Sequence, residues 1–137
     1  MSFAQFELDP KIQAGITNCG FTDPTQIQEQ AIPSGLQGRD VMGLAQTGTG
    51  KTAAFALPIL QQLLQGRRGK VRSLILAPTR ELAEQTAQSF ESLGRKTGQR
   101  IVTVYGGVSK SGQVRKLRSG ADVVVACPGR LLDLLRD

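Results

Sequence analysis

The stretch Ala45-Gln46-Thr47-Gly48-Thr49-Gly50-Lys51-Thr52 constrains this chain more than any other. Before it, Asp40-Val41-Met42-Gly43-Leu44-Ala45 reads as a buried strand; after it, Thr52 to Gln65 reads as a helix with Ala53, Ala56, Leu60, Leu63 and Leu64 inward. Strand, glycine-rich turn and helix in that order open a parallel β-α unit. The rest of the chain keeps the alternation. Ser73–Ala77 reads as a strand and Thr79–Lys96 as a helix whose inward residues are Leu82, Thr86, Phe90 and Leu93. Ile101–Tyr105 is a strand, Ser109–Leu117 a helix, and Asp122–Ala126 a strand. Pro128 starts a final helix through Leu131, Leu132 and Leu135. About four strands alternating with helices imply an α/β fold with a doubly wound parallel sheet. Such sheets bind ligands at the carboxyl ends of their strands, which here are 46–52, 78–83, 106–107 and 127–130. Two helices precede this pattern. One is capped by Asp9-Pro10, carries Ile12, Ile16 and Cys19 on one face and closes at Gly20; a shorter one follows Pro24-Thr25.

The glycine-rich turn has the Walker A pattern in its expected context. Gly48 and Gly50 let the backbone curl so that successive N–H groups point at one phosphate, and the following helix adds its positive end. Lys51 is then placed to reach β- and γ-phosphates, and the Thr52 hydroxyl to ligate Mg²⁺. Ala45 stands where the pattern has its first glycine. The plain alternative is a glycine-rich turn with an exposed lysine.

Composition bounds what surrounds this loop. The chain has 137 residues, 39% hydrophobic and 20% charged, enough for one buried core. No apolar run approaches the roughly 20 residues that span a membrane, and Met1-Ser2-Phe3-Ala4-Gln5-Phe6 has no signal-peptide character. The absence of histidine removes Ser-His and Cys-His catalysis. Two distant cysteines, Cys19 and Cys127, argue against zinc and for a reduced, cytoplasmic setting. A net charge of +6 favours a polyanionic partner, weakly. The basic groups Arg67, Arg68, Lys70, Arg72 and Lys110, Arg115, Lys116, Arg118 read as solvated surface.

The residues flanking the loop select among phosphate-loop proteins. Gly20-Phe21-Thr22-Asp23-Pro24-Thr25-Gln26-Ile27-Gln28 resembles the Q motif of DEAD-box ATP-dependent RNA helicases, and Phe3 matches the family's isolated upstream aromatic. Pro78-Thr79-Arg80-Glu81-Leu82-Ala83 resembles motif Ia, Gly106-Gly107 the GG element, and Cys127-Pro128-Gly129-Arg130 motif Ib, with cysteine in place of the usual threonine. The resemblance covers essentially the whole chain and looks bacterial. It implies a RecA-like domain, ATP and Mg²⁺ as cofactors, and single-stranded RNA held by its backbone. The implied nucleotide contacts are Phe3, Phe21, Thr25, Gln28, Gln46, Thr47, Gly48, Thr49, Gly50, Lys51 and Thr52, with Lys51 and Thr52 serving catalysis. Gln28 can donate and accept at once toward the N6 and N7 edge of adenine, the alternative being an exposed helical residue. Phe3 would stack on the base or serve as a simple hydrophobic anchor, and Phe6 is a rival for either role. The implied RNA contacts are Pro78, Thr79, Arg80, Gly106, Gly107, Cys127, Pro128, Gly129 and Arg130; contacts of that kind carry little sequence specificity. Thr79 is also a good N-cap, and Pro128-Gly129 could be turn chemistry.

The same resemblance divides the chain into a Q-motif region, 1–39, and a phosphate-loop sheet segment, 40–137. It places the DEAD acid motif, the SAT motif and a second motor domain beyond Asp137, and further strands between the phosphate-loop strand and the other three. An incomplete sheet with exposed edges is expected, and residues 1–137 alone are expected not to hydrolyse ATP. Asp122 begins a strand, so it cannot replace the missing acid. A DNA-directed helicase of the same superfamily and a non-catalytic nucleotide- or RNA-binding fragment are the alternatives.

Overall fold

A computed structural model describes residues 2–136. They form two units, one made of residues 1–65 with 92–98 and the other of residues 66–91 with 99–137. The phosphate loop therefore groups with the Q-motif region, not with the strands as the 39/40 division has it.

In the first unit, α1 (Pro10–Asn18) starts at Asp9, whose carboxylate accepts the Lys11 N–H at 2.8 Å. A 3₁₀ turn at Phe3–Phe6 precedes it. The other helices are α2 (Gln26–Leu36) and α3 (Lys51–Leu63), which pack against each other. Their approach is close because Gly35 lies over Pro58, where a Cβ would stand 2.9 Å from the ring. Gln62 Nε2 donates to the Gly35 carbonyl at 2.9 Å, and Gln61 Oε1 accepts the Asp9 N–H at 2.8 Å. Ile12, Ile16, Ile32, Leu57 and Leu60 are fully buried. Of the inward residues expected on α3, Ala53, Ala56, Leu60 and Leu63 are buried and Leu64 is half-buried.

The strand expected over Asp40–Ala45 does not form: these residues are neither helix nor strand. Val41, Met42 and Leu44 are exposed, Met42 and Leu44 by 89% and 86%. The physical reason is the lack of a ladder. Apolar content alone does not hold a strand whose N–H and C=O groups have no neighbour and whose faces are uncovered. Three strands, not four, are present among the described residues.

The second unit contains them: β1 (Ser73–Leu76), β2 (Ile101–Val104) and β3 (Val123–Ala126), all parallel and in the order β1-β3-β2. Chain order and sheet order differ because α4 (Arg80–Leu93) carries the chain past the site later filled by β3, and α5 (Lys110–Arg118) carries it back. Right-handed crossovers in opposite directions place their helices on opposite faces, which is the doubly wound arrangement. Val102, Val104, Val124 and Ala126 form one core face with Ala121, covered by Leu117 of α5 and by Leu131 and Leu134 of α6 (Pro128–Arg136). On edge strand β1, Leu74 and Leu76 are exposed.

One helix face differs from expectation. On α4 the buried residues are Ala83, Ala87 and Phe90 together with Leu93, while Leu82 is exposed and Thr86 half-buried. The buried stripe is shifted one position onto alanines, which periodicity weighs lightly. On α6, Leu131 and Leu134 face the core and Leu132 and Leu135 point outward. Buried Asp122, just before β3, accepts the Gly69 N–H at 3.0 Å and the Arg100 N–H at 2.9 Å, and lies 3.6 Å from Arg72. It ties loops at the amino end of the sheet, away from the ligand end.

Candidate functional site

The phosphate loop is built from left-handed glycines. Gly48 and Gly50 have φ of 83° and 84°, a region that residues with a Cβ avoid. Between them Thr49 Oγ1 donates to the Gln46 carbonyl at 2.6 Å and tightens the turn. Gly50 caps α3, and the first N–H satisfied inside the helix is that of Ala54, by Gly50 O at 3.2 Å. The N–H groups of Lys51, Thr52 and Ala53 therefore point out of the helix end. With exposed Lys51 beside them, they make an anion cradle at the positive end of a 13-residue helix. A triphosphate fits this donor set, and the half-buried Thr52 hydroxyl stands in the first turn.

Gln28 joins that loop to the Q motif. Its side chain is 3% exposed. Oε1 accepts the Thr25 N–H at 3.0 Å, closing a capping box at the start of α2, and Nε2 donates to the Gly50 carbonyl at 3.1 Å. Gly50 is favoured by its positive φ, and a Cβ there would fall onto Gln28 Nε2 and displace that amide from the Gly50 carbonyl. One amide hydrogen and one lone pair of Gln28 are thus spent inside the protein, and one of each remains. Gln46 and Thr47 lie exposed in the same loop.

Of its two readings, Phe3 has that of the hydrophobic anchor and not that of the base-stacking ring. It is 2% exposed, with Phe6 edge-on at 6.0 Å and Phe21 stacked at 6.3 Å, so its ring has no open face for a base. The accessible aromatic is Phe21, 41% exposed. Burial needs the whole ring covered, and the 3₁₀ turn at Phe3–Phe6 supplies that by folding Phe6 against it.

In the second unit the segments that follow β1, β2 and β3 lie together. Thr79 caps α4, its hydroxyl accepting the Leu82 N–H at 3.2 Å; the N-cap alternative thus describes its side chain. Pro78 is exposed beside it. Arg80 lies over the Tyr105 ring at 4.7 Å, with Nε 3.7 Å from Glu84, and Tyr105 donates its hydroxyl to the same Glu84 oxygen at 2.7 Å. A Cβ on Gly107, whose φ is 81°, would come within 3.9 Å of Arg80 Nη1. The motif Ia arginine and the GG element are therefore neighbours. The Glu84 carboxylate, accepting the phenol's hydrogen bond, raises the Tyr105 pKa above its ordinary value; partial burial adds to this and Arg80 opposes it.

Arg130 requires a correction. Its side chain is only 13% exposed, and both Nη1 and Nη2 donate to the Val108 carbonyl at 3.2 Å, with a further bond from Nη1 to Gln113 Oε1 at 3.1 Å. Gln113 Nε2 in turn donates to the Tyr105 carbonyl at 2.8 Å. A guanidinium committed to a loop carbonyl is a clamp on residues 105–108, not an open phosphate ligand. What stays available at this end is exposed Gly106 and Gly107, half-exposed Arg80 (48%), and the first turn of α6 at Pro128-Gly129. Cys127 is half-buried, its N–H held by the Val104 carbonyl at 2.7 Å. Sequence reasoning did not single out Glu84, Tyr105 or Gln113. The i,i+4 spacing of Arg80 and Glu84 was a readable signal; the other two carried none.

The glycine-rich phosphate loop of the first unit and the parallel α/β sheet of the second are parts of a RecA-like nucleotide-binding domain. Residues 25–137 match the DEAD/DEAH box helicase family, and the chain belongs to it. It is 46% identical over 136 residues to the DEAD-box ATP-dependent RNA helicase CshA of Streptococcus pneumoniae, covering 99% of this chain and 26% of that protein. It is 48% identical to the ATP-dependent rRNA helicase RRP3 of Lodderomyces elongisporus, covering 98% of this chain and 26% of that one. Among solved structures it resembles the RNA helicase Prp28 of Chaetomium thermophilum bound to ADP, with a TM-score of 0.90, 39% identity, and 98% and 34% of the two chains covered. The chain spans about a quarter of the length of these curated relatives.

Proposed function

We propose that this chain is the ATP-gripping and part of the RNA-gripping portion of an RNA-stimulated ATPase that unwinds or remodels RNA duplexes. The observation that carries the reading is the Gln28 bridge between the Q motif and the Gly50 carbonyl, in a chain of this family. It makes one unit of an adenine-reading residue and a phosphate cradle. Lys51 and the N–H groups after Gly50 hold β- and γ-phosphates, and Phe21 offers a face to the base. The remaining donor and acceptor of Gln28 read the adenine edge. The Thr52 hydroxyl would help to hold Mg²⁺, which would supply neutralising charge for the phosphates.

RNA lies along the carboxyl edge of the sheet. Arg80 and the N–H groups of Gly106, Gly107 and the α6 first turn hold its phosphates, whatever the bases. Pro78 and Thr79 shape the approach, and Arg130 keeps the Gly106-Gly107 loop in place. Two free cysteines fit a reducing, cytoplasmic setting. Among the described residues no helix is long and apolar enough to cross a membrane.

The test is ATP hydrolysis by the intact protein with single-stranded RNA or DNA of matched sequence. Stimulation by RNA well above that by DNA supports the reading. Equal or greater stimulation by DNA would transfer the protein to the DNA-directed branch, and no stimulation by either would leave a nucleotide-binding module.

A further inference from the structure

The cations of α5 read from sequence as solvated surface, but their placement argues otherwise. From Ser92 to Ala121 the chain carries no Asp or Glu. Arg72, Arg80 and Arg130 each lie within 4.0 Å of a carboxylate, whereas Arg115, Lys116 and Arg118 have no such partner among the described residues. Cations near a helix carboxyl end are favoured by the macrodipole, which accounts for any one of these three. It does not account for their arrangement. Ser111, Val114, Arg115 and Arg118 follow the spacing of a single helical face. With Lys110 they line one shallow concavity.

That face is held in register with the Gly106-Gly107 loop. Gln113, buried on the sheet side of α5, donates to the Tyr105 carbonyl at 2.8 Å and accepts from Arg130 at 3.1 Å. Leu117 packs on Val102, Val104 and their neighbours. The outward stripe therefore starts one short turn beyond the GG element, at Lys110 and Ser111, and runs about 10 Å to Arg118.

We propose that α5 continues the RNA track: the strand held at Gly106-Gly107 passes along this groove with its phosphates against Arg115 and Arg118. The inference rests on the RNA reading given above. The contact is to phosphate, so it is indifferent to sequence and sensitive to salt.

The experiment measures binding of single-stranded RNA homopolymers by the intact protein over a salt series, for Arg115→Ala/Arg118→Ala, for Arg115→Lys/Arg118→Lys, and for Arg80→Ala in parallel. Circular dichroism checks the fold of each. Losing two phosphate contacts should make the slope of log K against log salt shallower by about 1.5, for every homopolymer alike. The lysine variant should keep most of the slope. An unchanged slope in the double alanine variant, with Arg80→Ala weakened, overturns the α5 track alone. If Arg80→Ala is silent as well, the RNA-backbone reading falls with it. A loss confined to one homopolymer would mean base contact and also overturn the proposal.

Discussion

Replacing Gln28 with Ala removes two bonds at once, and the structure lets their effects be separated. The Thr25 N–H loses its cap acceptor and the Gly50 carbonyl loses the Nε2 donor. Each neutral hydrogen bond contributes about 1 kcal/mol net. Thr25 is exposed, so water can replace its partner, and Gly50 O keeps the Ala54 N–H. Two bonds plus the packing of a buried side chain amount to roughly 2–3 kcal/mol of lost stability in the first unit. Loosening Gly50 should weaken every nucleotide. Losing the adenine edge should cost ATP a further 1–3 kcal/mol or so, a factor of about 5–150 over GTP. Gln28→Glu sharpens the test, because an acid at the start of α2 retains the cap and suits the helix dipole, yet sets a carboxylate against the Gly50 carbonyl. Calorimetric titration of ATP and GTP into the intact wild type and both variants, with denaturant unfolding alongside, gives all the terms. Equal losses for ATP and GTP would refute adenine reading. Unchanged affinity for both would refute the latch to the phosphate loop.

The other perturbations reach the second unit and the chemistry. Arg80→Ala should weaken RNA about equally for all sequences and flatten the salt dependence by roughly one contact; a sequence-selective loss in binding titrations would mean base readout. Arg130→Ala should leave the Val108 carbonyl and Gln113 without their partner and lower stability by roughly 1–3 kcal/mol in chemical unfolding; a variant as stable as the wild type would return Arg130 to the phosphate set. Tyr105 is the only tyrosine of the chain, so ultraviolet absorbance titration of residues 1–137 reports it alone. Its raised pKa means that its contribution is present below the ordinary tyrosine value, near 10, and lost as pH rises through the folded value. Glu84→Gln should move the titration back down, and a titration that does not move would show that Glu84 is not the cause. Finally, residues 1–137 alone should release no phosphate from ATP above background, even with Mg²⁺ and saturating RNA. On the proposed reading they would supply the cradle and one metal ligand, while the water-orienting acid and the arginine finger, the latter alone typically worth 10³–10⁵ in rate, would come from elsewhere.

The parts of the fold legible in the sequence were those fixed by local chemistry. Asp9-Pro10, Gly20, Gly48 and Gly50 mark helix ends and a turn through φ preference and side-chain capping, and they fall where expected. The α/β class followed from alternation, and β1, β2 and β3 lie within a residue of their expected bounds. What failed depends on neighbours. Asp40–Ala45 has the composition of a buried strand, but no ladder reaches it. Leu82 counts as apolar in any pattern, yet it is exposed while small Ala83 and Ala87 are buried on the inner face of α4. At the candidate site, residue identity revealed which side chains carry chemistry but not their partners. Arg130 and Phe3 have the right types for phosphate and base, and their burial, invisible in one dimension, commits them elsewhere. The Tyr105-Glu84-Arg80 cluster joins residues that only the sheet brings together.

The central claim, that the loop at 46–52 grips ATP for RNA-driven hydrolysis, is tested most directly by Lys51→Ala. Lys51 is exposed, so its loss should change stability by no more than about 0.5 kcal/mol. RNA-stimulated phosphate release by the intact variant should nevertheless collapse to background while its fold and unfolding midpoint stay those of the wild type. Turnover near the wild-type level, in a variant shown to be folded, would contradict the assignment of this loop to the γ-phosphate.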